Sequence, residues 1–360
     1  MDAGVRNERR YRVADSAFHH ALAPLAIVDS AYWGDRFYPV RTNSLGFKDA
    51  SARVVRGGST PAVVFMGDSF TEGIGVPFDS TFVGRLGSDA WRRGVQVLNA
   101  GVASYSPVIY WRRLMQLVER KHLKIDEIVV FVDISDIQDE TEYFLDGDTA
   151  VRSPLNPGIT ARVMLGALQP SGKGAGFARD WWRLHSLVVY PAVRAVVRPF
   201  VRPSSDSTCG RAESERGINC RAAWTVSPEA RRQYGTRGLA AAEEHMSALS
   251  AYARARGIPL TVAVYPWMMQ LRWNDRRSLQ SRAWEKWARE RQNVFVDLFP
   301  PFFDLADSIG TERSIALLNI PGDVHWNERG HAFVASRFQT AYCAAVPSAV
   351  SPRPLARAIC

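Results

Sequence analysis

The residues best placed to do chemistry follow an apolar run. In VVFMGDSFTEG (63–73) buried-type residues lead straight into Gly67, Asp68 and Ser69, so a strand here would end by presenting a hydroxyl. A serine hydroxyl is a weak nucleophile until a base takes its proton, and imidazole is the side chain suited to that task near neutrality. Late in the chain, PGDVHWNERGH (321–331) carries His325 with Asp323 two residues before it. That aspartate is the near candidate to fix the imidazole tautomer and stabilise the imidazolium. Between these stretches lie VLNAGVASYSP (97–107), with Asn99 and Gly101, and DISDIQDE (133–140), with Ser135. A tetrahedral intermediate needs donors aimed at its oxyanion, and the backbone N–H groups of Ser69 and Gly101 are expected to serve, glycine because it admits close approach. Taken singly these signals are weak. A lone histidine is usually structural, Asp-x-His is common by chance, and Asp or Ser after a strand is equally a helix cap. Their order, each stretch at the end of an apolar run or in a late loop, points to acyl transfer.

Positioning these residues requires a sheet. Five β-branched-rich runs, at 63–66, 95–98, 128–132, 260–264 and 294–298, are continuously apolar rather than alternating, as in strands covered on both faces. Helical patterns separate most of them: 110–123, with Leu114, Leu117 and Val118 on one stripe, 238–257, ending at Gly257, and 281–292. This alternation predicts an α/β fold, a doubly wound, flavodoxin-like, five-stranded parallel sheet in three α/β/α layers, with ligands beyond the carboxyl ends of the strands. The alternation breaks at 141–237, too long for a loop and therefore an insertion after the third strand. The expected organisation is an N-terminal extension (1–58), a hydrolase-like domain (59–345) holding that insertion, and a C-terminal tail (346–360). Within the insertion, 177–203 is aromatic and basic; it reads as an inserted helix with a core-facing side, or as a peripheral membrane contact.

The chain has 360 residues, 46% hydrophobic and 22% charged, which is globular composition. A net charge of +9 suits an anionic partner, but the arginines are scattered and form no nucleic-acid module, so no nucleic acid is expected. Four cysteines fall in two short-range pairs, Cys209 with Cys220 and Cys343 with Cys360. Paired cysteines favour a periplasmic or other extracytoplasmic site, whereas the absence of an apolar h-region near the first residue favours the cytoplasm. Neither pair has zinc-ligand spacing. No metal and no cofactor are expected: the loop after the first run lacks a phosphate cradle, and there is no P-loop. The carboxylates Asp133, Asp136, Asp139 and Glu140 read as a solvated helix start favoured by the dipole.

Taken together, GDSFTEG resembles the first block of the SGNH (GDSL) hydrolases, NAG the second, and GDVHWNERGH the last. The resemblance covers about 60–140 and 258–340, and RTNSLGFKD (41–49) is similar to a stretch that often precedes the first block in bacterial members. It implies Ser69 as nucleophile, His325 as base, Asp323 as acid and Gly101 as an oxyanion donor. Two departures stand out. The third block of the family reads Gly-x-Asn-Asp, with the Asn as third oxyanion donor; here it reads Asp133-Ile134-Ser135-Asp136, leaving Ser135, another polar group such as Asn99, or nothing. Loss of one such donor costs on the order of 3 kcal/mol in the transition state. Asn99 equally suits a turn. The last block spaces acid and base as Asp-x-His-Trp, similar to the alginate-type O-acetyltransferase branch, with Asp136 as the alternative acid. An α/β-hydrolase elbow is set aside because Thr71 stands where Gly-x-Ser-x-Gly needs its second glycine.

Asp68, Tyr105, Trp267 and Trp326 complete the expected site as substrate contacts, the aromatics as stacking or pocket-wall residues that are also ordinary packing residues. The function this predicts is ester hydrolysis through an acyl-enzyme on O-acyl groups of a carbohydrate, either a small molecule or a polysaccharide. The alternatives are O-acyl transfer to a polysaccharide, a lipid esterase at a membrane surface, and a non-catalytic glycan-binding module with the same fold.

Overall fold

The structure, a computed structural model, describes residues 10–33, 36–55, 58, 60–146, 150–152, 220–346 and 353–360. The described chain starts with two antiparallel hairpins, β1 (Arg12–Asp15) with β2 (His19–Leu22) and β3 (Ile27–Trp33) with β4 (Arg36–Arg41). The five apolar runs then form one parallel sheet from β5 (Ala62–Met66), β6 (Gln96–Asn99), β7 (Glu127–Phe131), β10 (Leu260–Val264) and β11 (Val294–Asp297), within a residue or so of their expected limits. Two three-residue strands, β8 (Phe144–Asp146) and β9 (Ala150–Arg152), make a separate hairpin.

The strand order is β6-β5-β7-β10-β11. Val64 pairs with Leu98 on one side and Ile128 on the other, and Val262 pairs with Val130 and Phe295. Every residue of β5, β7 and β10 is buried, so continuous apolar runs are what this sheet demands. The order reverses between β5 and β7, and the crevice beyond their carboxyl ends is where such sheets bind ligands.

The helices that follow the strands are α1 (Ser69–Glu72), α2 (Phe82–Arg92), α3 (Pro107–Glu119), α4 (Asp136–Glu142), α5 (Thr236–Arg254), α6 (Met268–Arg272) and α7 (Leu279–Glu290). After β11 come α8 (Phe299–Ile309), α9 (Thr311–Leu318), α10 (Glu328–Ala345) and α11 (Pro354–Ile359). The layers beside the sheet are α2 with α10 and α11, and α5 with α3 and α4. Leu114 and Leu117 are buried as their spacing requires, and Val118 is partly so. Gly257 follows α5 at φ +67°, a left-handed turn that suits glycine.

Both ends of the described residues are built into the same core. Tyr11, Phe18, Leu22, Val28, Ala31, Tyr38 and Val40 from the hairpins are buried with the sheet residues. At the other end, Cys343 and Cys360 form a disulfide, Cα–Cα 5.5 Å, that ties α11 to α10. Leu355, Ala356, Ala358 and Ile359 of α11 are buried. The expected Cys209–Cys220 pair, the 177–203 segment and most of the expected insertion lie outside the described residues. Among the described residues no helix is long and apolar enough to cross a membrane.

Candidate active site

Strand β5 runs through Gly67 into α1 with no loop between them. A Cβ at Gly67 would sit 2.1 Å from Thr71 Oγ1 and 3.0 Å from the Phe131 carbonyl, so only glycine lets the chain turn this tightly against β7. Asp68 is the helix cap, its Oδ1 accepting from the Phe70 N–H at 3.0 Å. Ser69 therefore occupies the first helical position, where its N–H precedes the first intrahelical bond and stays available to a ligand. The serine is not the cap.

The loop between α9 and α10 brings the histidine across. Asn319 clamps that loop by donating to the Val324 carbonyl at 2.7 Å, the Ile320 N–H donates to the His325 carbonyl at 2.9 Å, and Asn327 caps α10. Ser69 Oγ then lies 2.8 Å from His325 Nε2, and His325 Nδ1 lies 2.5 Å from Asp323 Oδ1. A carboxylate accepts only, so Nδ1 carries the ring proton and Nε2 is left to accept from the serine. The two-residue spacing is what allows this: Asp323 Oδ1 also accepts the His325 backbone N–H at 2.9 Å, a short turn that holds carboxylate and ring together. Asp136, the alternative acid, bonds instead to Tyr110 and to the Asp133 N–H and makes no contact with His325.

Asp323 has a second partner from the far end of the chain. Trp33 Nε1 donates to Asp323 Oδ2 at 2.8 Å, and its ring meets the His325 ring edge-on at 5.5 Å. Burial pushes the Asp323 carboxyl up, but the bonds and charge of His325 and the Trp33 N–H outweigh it and hold the group at about 2.

The remaining expected residues sit differently. The Gly101 N–H donates to Asn99 Oδ1 at 3.1 Å, and Asn99 Nδ2 donates to the Thr71 carbonyl at 2.8 Å. Asn99 is thus a turn-former locking β6 to α1, its amide is not open to an oxyanion, and the Gly101 N–H is already engaged. Glycine at 101 answers to packing, since a Cβ there would lie 2.6 Å from the Glu72 nitrogen. Ser135 is 1% exposed at the cap of α4, with its N–H on Asp133 Oδ1 and its carbonyl receiving Arg221.

The aromatic positions are core, not mouth. Tyr105 is 1% exposed and donates to the His20 carbonyl at 2.8 Å; Trp326 is 2% exposed, packed among Phe70, Tyr265 and Phe302. Trp267 is 4% exposed and donates from Nε1 to Asp133 Oδ2 at 2.5 Å. None of the three presents a face for a sugar to stack on. Apolar residue types beside a site are fixed mainly by the core they complete.

The acidic run also departs from expectation. Asp133, Asp136, Asp139 and Glu140 are all buried rather than solvated. Glu140 caps α3 by accepting from Ser106 Oγ and the Val108 N–H, and pairs with His245 Nδ1 at 2.6 Å. Arg221 stands 2.5 Å from Asp139, whose carboxyl burial nonetheless pushes up to about 7. Asp68, Asp133 and Asp136 bring oxygens within 4.8 Å of one another, the geometry of a possible cation cluster among the described residues. Yet Tyr265, Trp267 and Tyr110 aim donors at these oxygens, and a cation would have to displace them.

Further buried residues back Ser69. Lys48 is 1% exposed and donates from Nζ to the Gly73 and Val76 carbonyls at 2.6 and 2.7 Å, holding the turn that ends α1. Burial pulls its ammonium down to about 7, partly countered by Glu72. Arg12 forms a buried ion pair with Glu72 at 2.6 Å, and Glu72 Oε2 accepts the Ala103 N–H. A signal for Lys48 existed, since it lies within RTNSLGFKD; none existed for Trp33. Two cavities of about 280 and 570 Å³ lie at the opposite, amino-terminal end of the strands, around Pro259 and Pro61, remote from these residues.

No family model matches the chain, and no curated protein matches it. Among solved structures it is similar to the psychrotrophic esterase EstA from Pseudoalteromonas sp., at 10% identity over 78% of this chain and 96% of that one, TM-score 0.39. It is also similar to a catalytic mutant of Axe2, an acetylxylan esterase from Geobacillus stearothermophilus, at 14% identity, 80% and 96% coverage and TM-score 0.41. A third is LAE5, an alpha/beta hydrolase enzyme from the metagenome of Lake Arreo, at 14% identity, 79% and 96% coverage and TM-score 0.41. Likeness this distant establishes no family for the chain.

Proposed function

We propose that the protein is a serine ester hydrolase of SGNH type that works through an acyl-enzyme. The observation that carries this reading is the continuous hydrogen-bonded chain from Asp323 through His325 to Ser69. Ser69 Oγ attacks the ester carbonyl carbon while its proton passes to His325 Nε2, and Asp323 stabilises the imidazolium that results. The carbonyl electrons collect on an oxyanion to which the Ser69 N–H donates. Collapse breaks the bond to the alcohol, which leaves with the proton from Nε2. Water, activated by the same imidazole, then releases the acid.

The substrate class we propose is an O-acetyl group on a carbohydrate. The net charge of +9 favours an anionic polysaccharide or oligosaccharide, and the Asp-x-His-Trp form of the last block supports the same class. Stacking on Trp267 and Trp326 no longer supports it, because both are buried. That burial also weakens the reading of a non-catalytic glycan-binding module.

The test is labelling with a fluorophosphonate probe, located by peptide mass spectrometry, in wild type and His325→Ala. Label on Ser69 of wild type, lost in the variant, is the expected result. Folded wild type that takes no label across several probe sizes would overturn the nucleophile assignment. Acetate release from acetylated oligosaccharides of both charge types then tests the substrate class.

A further inference from the structure

Ser69 Oγ lies between two acceptors and has one proton to give. His325 Nε2 is 2.8 Å away on one side and Asp68 Oδ2 is 3.2 Å away on the other. Nε2 must accept, because Nδ1 holds the ring proton against Asp323. If Asp68 were ionised it could only accept as well, and it would compete with His325 for the serine proton. The contacts satisfy every group only if Asp68 carries a proton and donates it towards Oγ.

The surroundings of Asp68 favour that state. It is 2% exposed, with Asp133 and Asp136 fully buried beside it. Asp133 collects the donors: Tyr265 Oη at 2.7 Å, Trp267 Nε1 at 2.5 Å and the Ser135 N–H at 2.7 Å. Asp68 receives the Phe70 N–H and only a long 3.4 Å approach from Tyr265, both on Oδ1, which leaves Oδ2 facing Ser69. Asp136 keeps one buried oxygen without a hydrogen-bond partner, so the donors around the cluster are unevenly shared among its carboxyl groups. Packing several carboxylates together out of water keeps some of them protonated.

We propose that Asp68 is held as an uncharged carboxylic acid that donates its proton in a hydrogen bond to Ser69 Oγ, aiming the serine's own proton at His325. This rests on Ser69 being the nucleophile. Asp68 keeps its proton throughout; the proton that moves is the serine's, to Nε2. Burial first, and then the Asp133 carboxylate, push the Asp68 carboxyl well above the usual range, against the Phe70 N–H and the more distant Arg221. Asp139 acts in the same upward direction. The proton therefore leaves only as the pH rises, and the donor is lost on the alkaline side.

Two readouts on wild type, Asp68→Asn and Asp68→Ala test this. Asparagine keeps the Oδ1 cap on Phe70 and replaces the acid O–H with an amide N–H that donates at every pH. In infrared difference spectra at neutral pH, the protonated-acid carbonyl band, identified by its shift in D2O, should be smaller in Asp68→Asn than in wild type. An unchanged band in folded Asp68→Asn would overturn the proposal whatever the serine does. In the second readout, the rate of fluorophosphonate labelling at Ser69 is followed against pH. Asp68→Ala should label about tenfold more slowly, the rate equivalent of one hydrogen bond. Wild type should label more slowly on the alkaline side, and Asp68→Asn should recover part of the rate lost in Asp68→Ala and show no such alkaline fall. An Asp68→Asn protein as slow as Asp68→Ala, or one that keeps the alkaline fall, would refute it. Absence of label on wild type at every pH would instead refute the nucleophile assignment, with the infrared band still reporting on the Asp68 proton.

Discussion

Trp33 is remote in sequence yet bonds directly to a residue of the candidate site. Its indole N–H is the only described side-chain donor to Asp323 other than His325, and it reaches Oδ2 while the histidine occupies Oδ1. Trp33→Phe retains an edge-on ring beside His325 and removes that donor. A hydrogen bond to a charged group is worth about 1.5–3 kcal/mol, so labelling of Ser69 should slow by about tenfold or more. The sign of the accompanying pH effect follows from the depressed carboxyl of Asp323. Its stabilising contribution is present above the ordinary carboxylate range and is lost as the pH falls through about 2. Without Trp33 the folded-state value rises, so this contribution shrinks and is lost at a higher pH. Labelling rate and denaturation midpoint, each measured against pH, check both parts; an unchanged rate would mean that His325 alone orients Asp323.

Helix α11 shows an element held by three kinds of interaction. Its apolar side is buried, its Leu355 N–H donates to Glu127 Oε2 at 3.1 Å, and Arg353 just before it reaches Glu127 Oε1 at 3.4 Å. Glu127 is fully buried at the start of β7, where Tyr342 of α10 also donates to its Oε1, so this helix start adds donors to a carboxylate held away from water. The disulfide joins residues 17 apart in sequence. Closing a loop of that size is worth about 3 kcal/mol in the chain-entropy account. Reduction, or Cys360→Ser, should therefore lower the unfolding free energy by about 3 kcal/mol with little change in denaturant slope. Urea titrations with and without reductant measure it. A midpoint that does not move would assign the anchoring of α11 to burial and Glu127 alone.

At the scale of the whole molecule, the described hairpins share one core with the sheet. The hairpins at 10–41 supply seven buried apolar residues to the common core, the Arg12 partner of Glu72 and the Trp33 partner of Asp323. Burying one large apolar side chain is worth about 1.5–3 kcal/mol, and domains have only about 5–15 kcal/mol in total. A chain starting at residue 42 should thus fail to give folded protein, measured by circular dichroism and by labelling of Ser69. A folded, labelled truncation would show the hairpins to be an appendage.

The features legible in the residue order are local ones. Continuous apolar runs mark a doubly covered parallel sheet, because period and burial are written residue by residue, and all five strands fall within a residue or so of their expected limits. Ser69, Asp323 and His325 stand out because each follows a strand or loop whose type is fixed by its neighbours in sequence. Other assignments depend on what faces what across the fold. Whether Asp133 and Asp136 are solvated or buried, and whether Tyr105 and Trp326 are mouth or core, are set by long-range packing. The same holds for Trp33, nearly three hundred residues from Asp323 in sequence and 2.8 Å from it in space. Burial and hydrogen-bond partnership are properties of pairs of segments, and a single chain pattern encodes only one member of each pair.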